Sequence, residues 1–474
     1  MSAVNSKKLY IRTIGCQMNV YDTERMAMLL SRLRYRRTDR LESADLIVVN
    51  TCAIRAKAEQ KVFSFLGRLA RLKQNNPGLI IAAGGCVAQQ EGARMLERAP
   101  YLDVVFGTHA IGRLARIIER VEKEKCRIVD IDMSAGVEEF DTIRNFRDDG
   151  QVTSFVTIMQ GCDNYCTYCV VPHVRGPEAS RHPEKIVAEI KDLVRSGIRE
   201  VTLLGQNVNS YGQKEGWCDF AALLQQINRI DGLLRIRFTT SHPKDLSPEL
   251  CRAFKNLDKL CHHIHLPVQS GSNRVLQRMN RKYTREQYLD KIEQLRSNCP
   301  DIAITSDFII GFPGERQADF DQTLALIRQV AFDGIFAFKY SDRPSAPARQ
   351  FQPKLPKELK NERLQILLDI QDEITLGRNQ SLVGTVQQVL VEGHSKRNVK
   401  NDIDLSPNSL QWTGRTSTNK IVNFLLDGSS AKDSPAGALV RVEIEKALAH
   451  SLWGRPTGVD TTPTYLKGER SYAA

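Results

Sequence analysis

Gly161 to Arg175 reads GCDNYCTYCVVPHVR, and its cysteines, Cys162, Cys166 and Cys169, stand in a CxxxCxxC array that one short loop can wrap around a single metal centre. Thiolates are soft ligands that suit iron–sulfur clusters, zinc or copper(I). A cuboidal 4Fe–4S cluster takes four ligands, normally cysteines. The loop offers three, and the next cysteine, Cys218, lies far outside it. A cluster held by three leaves one iron open to something that is not protein, which suits chemistry better than electron carriage. Two alternatives stand beside this reading. Zinc would need a closed four-ligand set, with His173 as the fourth ligand; or the thiols are unrelated.

Upstream of the loop, Ser154-Phe-Val-Thr-Ile-Met-Gln-Gly161 reads as a buried strand closed by glycine. The cysteines therefore follow a strand's C-terminal end, where open α/β sheets and barrels keep their active sites. Six strand-like runs then alternate with helical ones: Phe155–Gly161, Glu200–Asn207, Leu234–Ser241, His262–Gln269, Ile304–Gly311 and Gly334–Tyr340. They predict an incomplete TIM-like barrel of (βα)6 form over residues 146–375, after a polar linker near Arg144–Gln151. Polar residues mark the strand ends: Gln206 and Asn207, Ser241 and His242, Gln269 and Ser270, and the turn Gly311-Phe312-Pro313. Any one of these alone is a plain turn, and His265 is equally a packed structural histidine. Together they line the open end beside the cysteine loop.

Residues 1–145 repeat the logic. Lys8–Ile14, Asp45–Val49 and Leu79–Ala83 are strand-like, end on Gly15-Cys16, Asn50-Thr51-Cys52 and Gly84-Gly85-Cys86, and alternate with helical stretches at Asp22–Arg34 and Ala56–Lys73. Strand and helix in alternation make a parallel sheet, with Asp103–Phe106 as a fourth strand. All C-terminal strand ends lie on one edge of such a sheet, so Cys16, Cys52 and Cys86 converge. A single cysteine in a sheet core is ordinary. Three in the same structural place, two of them behind glycines that permit close backbone approach, point to a second three-cysteine centre.

The chain has 474 residues, 41% hydrophobic and 26% charged, which predicts several domains of ordinary soluble composition. Eleven cysteines without an export signal or an apolar run of membrane-spanning length favour reduced thiols and the cytoplasm. A net charge of +12 favours a polyanionic partner such as nucleic acid.

With these residues in view, the chain resembles the methylthiotransferase family of radical S-adenosylmethionine (SAM) enzymes. The resemblance rests on GCDNYCTYCVVPHVRGPEASR, YIRTIGCQMNVYDTE, NTCAIRAKAEQKV and AAGGCVAQ. It departs at His173 and Pro177, where a tyrosine and an arginine are expected. The resemblance implies two 4Fe–4S clusters, an auxiliary one on Cys16, Cys52 and Cys86, and a SAM-binding one on Cys162, Cys166 and Cys169. Gln206, Asn207, Ser241, Gln269, Ser270, Gly311 and Pro313 become candidate SAM contacts by analogy. It also implies two SAM molecules per turnover. One donates a methyl group to sulfur at the auxiliary cluster; the other, cleaved at the SAM-binding cluster, gives a 5′-deoxyadenosyl radical. The cofactors carry this chemistry, and the protein orients them and excludes water.

From Gly384 the pattern changes to short alternating runs, Thr385–Glu392, Leu410–Thr413, Ile421–Leu426 and Leu439–Lys446, which predict a small antiparallel β-barrel over residues 376–448. With its string GRTSTNKIVNF it resembles a TRAM domain, an OB-like RNA-binding module, in which Lys396, Arg397, Lys400, Arg415 and Lys420 are candidate phosphate contacts or plain solubilising charge. Residues 449–474 are expected to form a disordered tail. Branches of the family modify a ribosomal-protein aspartate, a threonylcarbamoyl-adenosine or an isopentenyl-adenosine in tRNA. Gly15–Asn19, Asn50–Arg55 and His265–Ser272 look like the third branch, which acts on carbon 2 of the adenosine next to the anticodon. The expected partners are that tRNA, a flavodoxin-type electron donor and a sulfur source, with a monomer as the default. A protein-modifying enzyme and a non-catalytic RNA-binding or iron-sensing protein remain alternatives.

Overall fold

The computed structural model describes residues 6–53, 56–133, 150–395, 409–427 and 434–460. The first domain is a wholly parallel six-stranded sheet in the order β2-β1-β3-β4-β5-β6. Its strands are β1 (Lys7–Thr13), β2 (Tyr35–Arg37), β3 (Leu46–Thr51), β4 (Ile80–Gly85), β5 (Val104–Phe106) and β6 (Ile128–Asp130). β3 and β4 are buried at every position, as continuous apolar runs between two helical layers should be. The edge strands β2 and β6 are short and not apolar throughout, which is why periodicity alone did not mark them.

β7 (Thr153–Thr157), β10 (Glu200–Leu204) and β11 (Arg235–Phe238) form one parallel sheet; β12 (His263–His265), β13 (Ala303–Ile310) and β14 (Gly334–Lys339) form another. A parallel bridge between Ile236 and Leu260 joins them into the expected partial barrel. The predicted first barrel strand breaks after Thr157. Its end is a separate strand, β8 (Met159–Gln160), which turns away to pair antiparallel with β9 (Ala179–Ser180). The cysteine loop is therefore closed at its neck.

The first two domains share cores. Leu204 packs with one face of the six-stranded sheet, and Val170, Val174 and Ala346 pack with the other. The helix Lys357–Gln380 runs across the expected boundary at residue 375 and holds the last domain through Asn379 Nδ2, which donates to the Leu448 carbonyl at 2.8 Å.

That domain is a closed barrel, β15-β16-β17-β19-β18, built from β15 (Val386–His394), β16 (Ser409–Thr416), β17 (Ile421–Asp427), β18 (Leu439–Ala447) and β19 (Leu452–Asp460). Residues 461–474 lie outside the described residues, and the disordered tail expected from residue 449 is overturned over Leu452–Asp460, where β19 pairs antiparallel with β18 and parallel with β17. Its Pro456 and two register shifts hide the strand pattern, and barrel closure supplies the order. Arg235 and Arg237, at the N-terminal end of β11, seat this barrel beneath the larger one. Arg237 donates to the carbonyls of Ser417 (3.0 Å) and Thr416 (2.6 Å) and pairs with Glu200 (2.9 Å); Arg235 reaches the Gln388 carbonyl at 2.9 Å.

Two expected phosphate contacts are committed at this junction. Lys420 pairs with Asp333 at 3.1 Å and Arg415 with Glu392 at 3.1 Å. Folding opposes each of these cations to a carboxylate, with Lys420 largely buried and Arg415 still about a third exposed. Lys396, Arg397 and Lys400 lie outside the described residues.

Breaking a buried, paired arginine costs about 3–5 kcal/mol. Arg237→Ala is therefore expected to loosen the C-terminal barrel and lower stability by that order in urea unfolding; a loss under about 1 kcal/mol would contradict the docking described.

Candidate functional site

Three strand ends meet where β1, β3 and β4 leave the sheet. Cys16 caps the helix α1 (Gln17–Ser31), and Cys86 opens the helix α2 (Cys86–Glu91). Between them a buried polar lattice fixes the ends of the strands. Asn19 Nδ2 donates to Asn50 Oδ1 and to the Thr51 carbonyl, both at 2.9 Å, and Asn50 Nδ2 returns a bond to the Asn19 carbonyl at 2.8 Å. Thr51 Oγ1 donates to the Gly84 carbonyl at 2.6 Å and accepts from the Val87 amide at 3.1 Å. Gly15 must lack a side chain, because a Cβ there would lie 2.8 Å from the Cys52 Cβ. Gly85 has a φ of +91°, with the Thr51 carbonyl 2.5 Å from where its Cβ would be.

The cysteines do converge electrostatically. The Cys16 thiol is drawn down to about 6, first by its hydrogen bond with Cys52 and then, against burial, by the charge of Arg175. Burial raises Cys86, and Arg175 opposes that too. Arg175 comes from the other cysteine loop. It is buried and donates to Asp22 of α1 at 2.8 Å, while its own carbonyl lies 2.9 Å from His109 Nε2. A short helical turn, Val171–Arg175, thus carries the chain from Cys169 to the far triad.

The second triad occupies the loop between β8 and β9. The Cys162 amide bonds the Gly176 carbonyl at 3.2 Å, and Gly161 (φ +79°) has the Pro177 carbonyl oxygen 1.9 Å from an ideal Cβ position. Residues 278–281 buttress the far side: Thr167 N reaches the Met279 carbonyl at 3.1 Å, and Asn280 Nδ2 the Tyr165 carbonyl at 3.0 Å. Each sulfur receives an N–H donor. Asn164 Nδ2 serves Cys162 at 3.3 Å, the Val171 amide serves Cys169 at 3.4 Å, and the buried Arg281 serves Cys166 at 3.4 Å. Such bonds stabilise sulfur charge and tune a cluster held there.

Among the described residues, the three ligand atoms drawn within 4.8 Å of one another are those of His262, Cys299 and Asp301, at the opposite end of the barrel. They satisfy each other by hydrogen bonds at 2.9 and 3.3 Å.

The strand-end residues divide into two groups. Among the described residues, Gln206 Oε1 and Ser241 Oγ are buried without a protein partner, as is His242 Nε2, and Gln269 holds a φ of +77° at the same open end. Unsatisfied buried groups of this kind call for a ligand. The other candidates are engaged in the fold. Asn207 bonds Asp245 (2.7 Å) and the His242 amide (3.0 Å), Ser270 Oγ accepts from Ser272 N (3.2 Å), the Gly311 amide meets Glu315 (3.1 Å), and the Pro313 carbonyl accepts from Arg278 (3.2 Å). These four shape the turns. His265 Nδ1 lies 3.0 Å from Thr305 Oγ1, and its Nε2 lies 3.5 Å from Asp307. Sequence reasoning did not single out Arg281, Asp22 or Asn19, and Arg175 stood unremarked at the end of the opening string. A buried arginine has no local pattern of its own.

Gly161→Ala forces a Cβ into backbone, so it is expected to cut the iron and acid-labile sulfide retained per chain after anaerobic reconstitution. Iron content equal to that of the native chain would contradict the loop geometry.

Residues 156–327 match the radical SAM superfamily model, and residues 8–107 match that of an uncharacterized protein family, UPF0004. Among solved structures, the fold is similar to a radical S-adenosylmethionine methyltransferase, TsrM, from Kitasatospora setae. Its TM-score is 0.56 at 13% identity, covering 81% of this chain and 78% of that one. The chain is 55% identical to the tRNA-2-methylthio-N(6)-dimethylallyladenosine synthase of Desulfosudis oleivorans, over 96% of this chain and 97% of that protein. It is 50% identical to the synthases of Syntrophus aciditrophicus (95% and 95% covered) and Geobacter metallireducens (94% and 98%). Such identity over nearly the full length of both proteins makes this chain a member of the tRNA-2-methylthio-N(6)-dimethylallyladenosine synthase family within the radical SAM superfamily.

Proposed function

We propose that the protein adds a methylthio group to carbon 2 of N(6)-isopentenyl-adenosine at position 37 of tRNA. The observation that carries this reading is the pair of cysteine triads, one at the C-terminal ends of parallel strands and one in the loop between β8 and β9, joined by one short segment, Cys169 to Arg175. The two sites hold two 4Fe–4S clusters, and SAM is used twice per turnover. Bound there, these cofactors supply the radical and the sulfur-transfer chemistry.

The chain's own residues do the rest. Cys162, Cys166 and Cys169 present three thiolates and no fourth, which leaves room for SAM. Gln206 and Ser241 offer unsatisfied polar groups to orient it, with Gln269 beside them at the same open end. The Asn19–Asn50–Thr51 lattice keeps Cys16, Cys52 and Cys86 in register. Tyr165, more than half exposed (57%) next to Cys166, gives a flat aromatic face at the mouth. Unstacked bases of RNA loops are held on such faces. Among the described residues no helix is long and apolar enough to cross a membrane. A cytoplasmic monomer fed by a flavodoxin-type donor and a separate sulfur source completes the reading.

The test is mass spectrometry of tRNA nucleosides after anaerobic incubation of reconstituted protein with SAM, dithionite and isopentenylated tRNA. One methylthio group should appear on the isopentenyl-adenosine, and Cys162→Ala and Cys16→Ala should each abolish it. Formation of 5′-deoxyadenosine with unmodified tRNA would refute the substrate.

A further inference from the structure

Each triad has a buried arginine against it, and the two are not equivalent. Arg281 is 4% exposed. Its four hydrogen bonds go to Cys166 Sγ (3.4 Å), Tyr168 Oη (3.3 Å), Tyr283 Oη (2.9 Å) and the Pro267 carbonyl (2.7 Å). Two phenols and a carbonyl are neutral, and among the described residues no carboxylate pairs with this guanidinium. Its positive charge is offset only by the sulfur it touches. Arg175 is as deeply buried but lies 2.8 Å from the Asp22 carboxylate, so the pair is close to neutral. Arg343, which also faces Cys52, feels Glu59. At the mouth of the Cys162 loop, Asp163 and Lys214 pair at 3.2 Å in contact with water, and Glu178 faces Cys162 with Lys214 on its backbone carbonyl at 3.1 Å. Arg175 also reaches a sulfur, that of Cys86, but it shares its charge with Asp22, whereas Arg281 has no carboxylate among the described residues to share with.

Reduction of an iron–sulfur cluster by one electron makes it more negative, and a nearby buried cation favours that form strongly in a low-dielectric setting. We infer that Arg281 is a positioning residue that sets the reduction potential of the cluster on the Cys162 loop, and that Asp22 keeps Arg175 from doing the same at the other triad. The inference rests on the two-cluster reading above. Its consequence is selective: an electron from a low-potential one-electron donor, protein or dithionite, settles on the SAM-binding cluster rather than the auxiliary one. No bond forms or breaks in this step. It is reduction of one cluster with matching oxidation of the donor.

The experiment is an EPR-monitored potentiometric titration of the full-length reconstituted holoenzyme with dithionite, without tRNA. Chains carrying alanine at one whole triad serve as single-cluster references. Arg281→Gln should lower the potential of the Cys162-loop cluster by 59 mV or more, a tenfold change in its reduced-to-oxidised ratio at fixed potential, with the auxiliary cluster unmoved. Arg281→Lys, which keeps the charge, should stay near the native value. Asp22→Asn should raise the auxiliary cluster alone. Equal shifts at both clusters, no shift at either, or a lysine variant displaced as far as the glutamine one would overturn the inference. Iron analysis separates this from failure of the underlying reading: a native chain that binds a single cluster removes the two-cluster basis, whereas two clusters with unmoved potentials remove only the role of Arg281.

Discussion

The ion pair between Arg175 and Asp22 is the contact on which the site's architecture depends. It joins the cysteine loop of the barrel to the first helix of the parallel sheet, at a point shielded from water on all sides. An unpartnered charge there would cost several kcal/mol, so the two domains dock only where the pair closes. Val170 and Val174 on the same short segment fill the sheet's core. Position is thus set by charge and depth by apolar packing. The neighbouring bonds from Thr108 Oγ1 to the Val174 carbonyl (2.6 Å) and between His109 and the Arg175 carbonyl leave the segment little freedom.

Around that joint the two triads are built in different ways. At the sheet edge, side-chain amides and a threonine lock three parallel strand ends together, and glycines allow the thiols to approach. On the barrel, the triad lies in a loop whose neck is closed by a two-residue antiparallel pair and whose far side leans on residues 278–281. The first is rigid because its strands are central in a buried sheet. The second is held by backbone bonds around a mouth that stays open to solvent, where Tyr165 stands exposed. On the proposed function, a site that admits SAM and a nucleic acid needs that asymmetry.

The C-terminal barrel lies at the opposite end of the strands from the cysteine loop, fastened by Arg235 and Arg237 to backbone carbonyls of β15, β16 and the turn after it. Carbonyls are indifferent to side-chain identity, so this docking depends on the shape of the small barrel. It also explains why Lys420 faces inward, paired with Asp333. Charges that look free in a linear string become the counter-ions of a junction once the chain is folded.

Much was legible from residue order alone. Continuous apolar runs ending in Gly-Cys or Thr-Cys foretell buried parallel strands, and a parallel sheet necessarily gathers those ends on one edge. That topological rule brings Cys16, Cys52 and Cys86 together without knowledge of a single contact. The spacing of Cys162, Cys166 and Cys169 likewise carries its own loop. Tertiary structure alone decided which polar strand ends stay unsatisfied, as at Gln206 and Ser241, and which, like Asn207, are consumed in the fold. It alone brought Arg281 to Cys166 and Arg175 to Asp22, and ordered Leu452–Asp460 as a strand. Periodicity and spacing report on neighbours along the chain. The partner of a buried charge, and the strand that closes a barrel, are settled by segments far away in sequence.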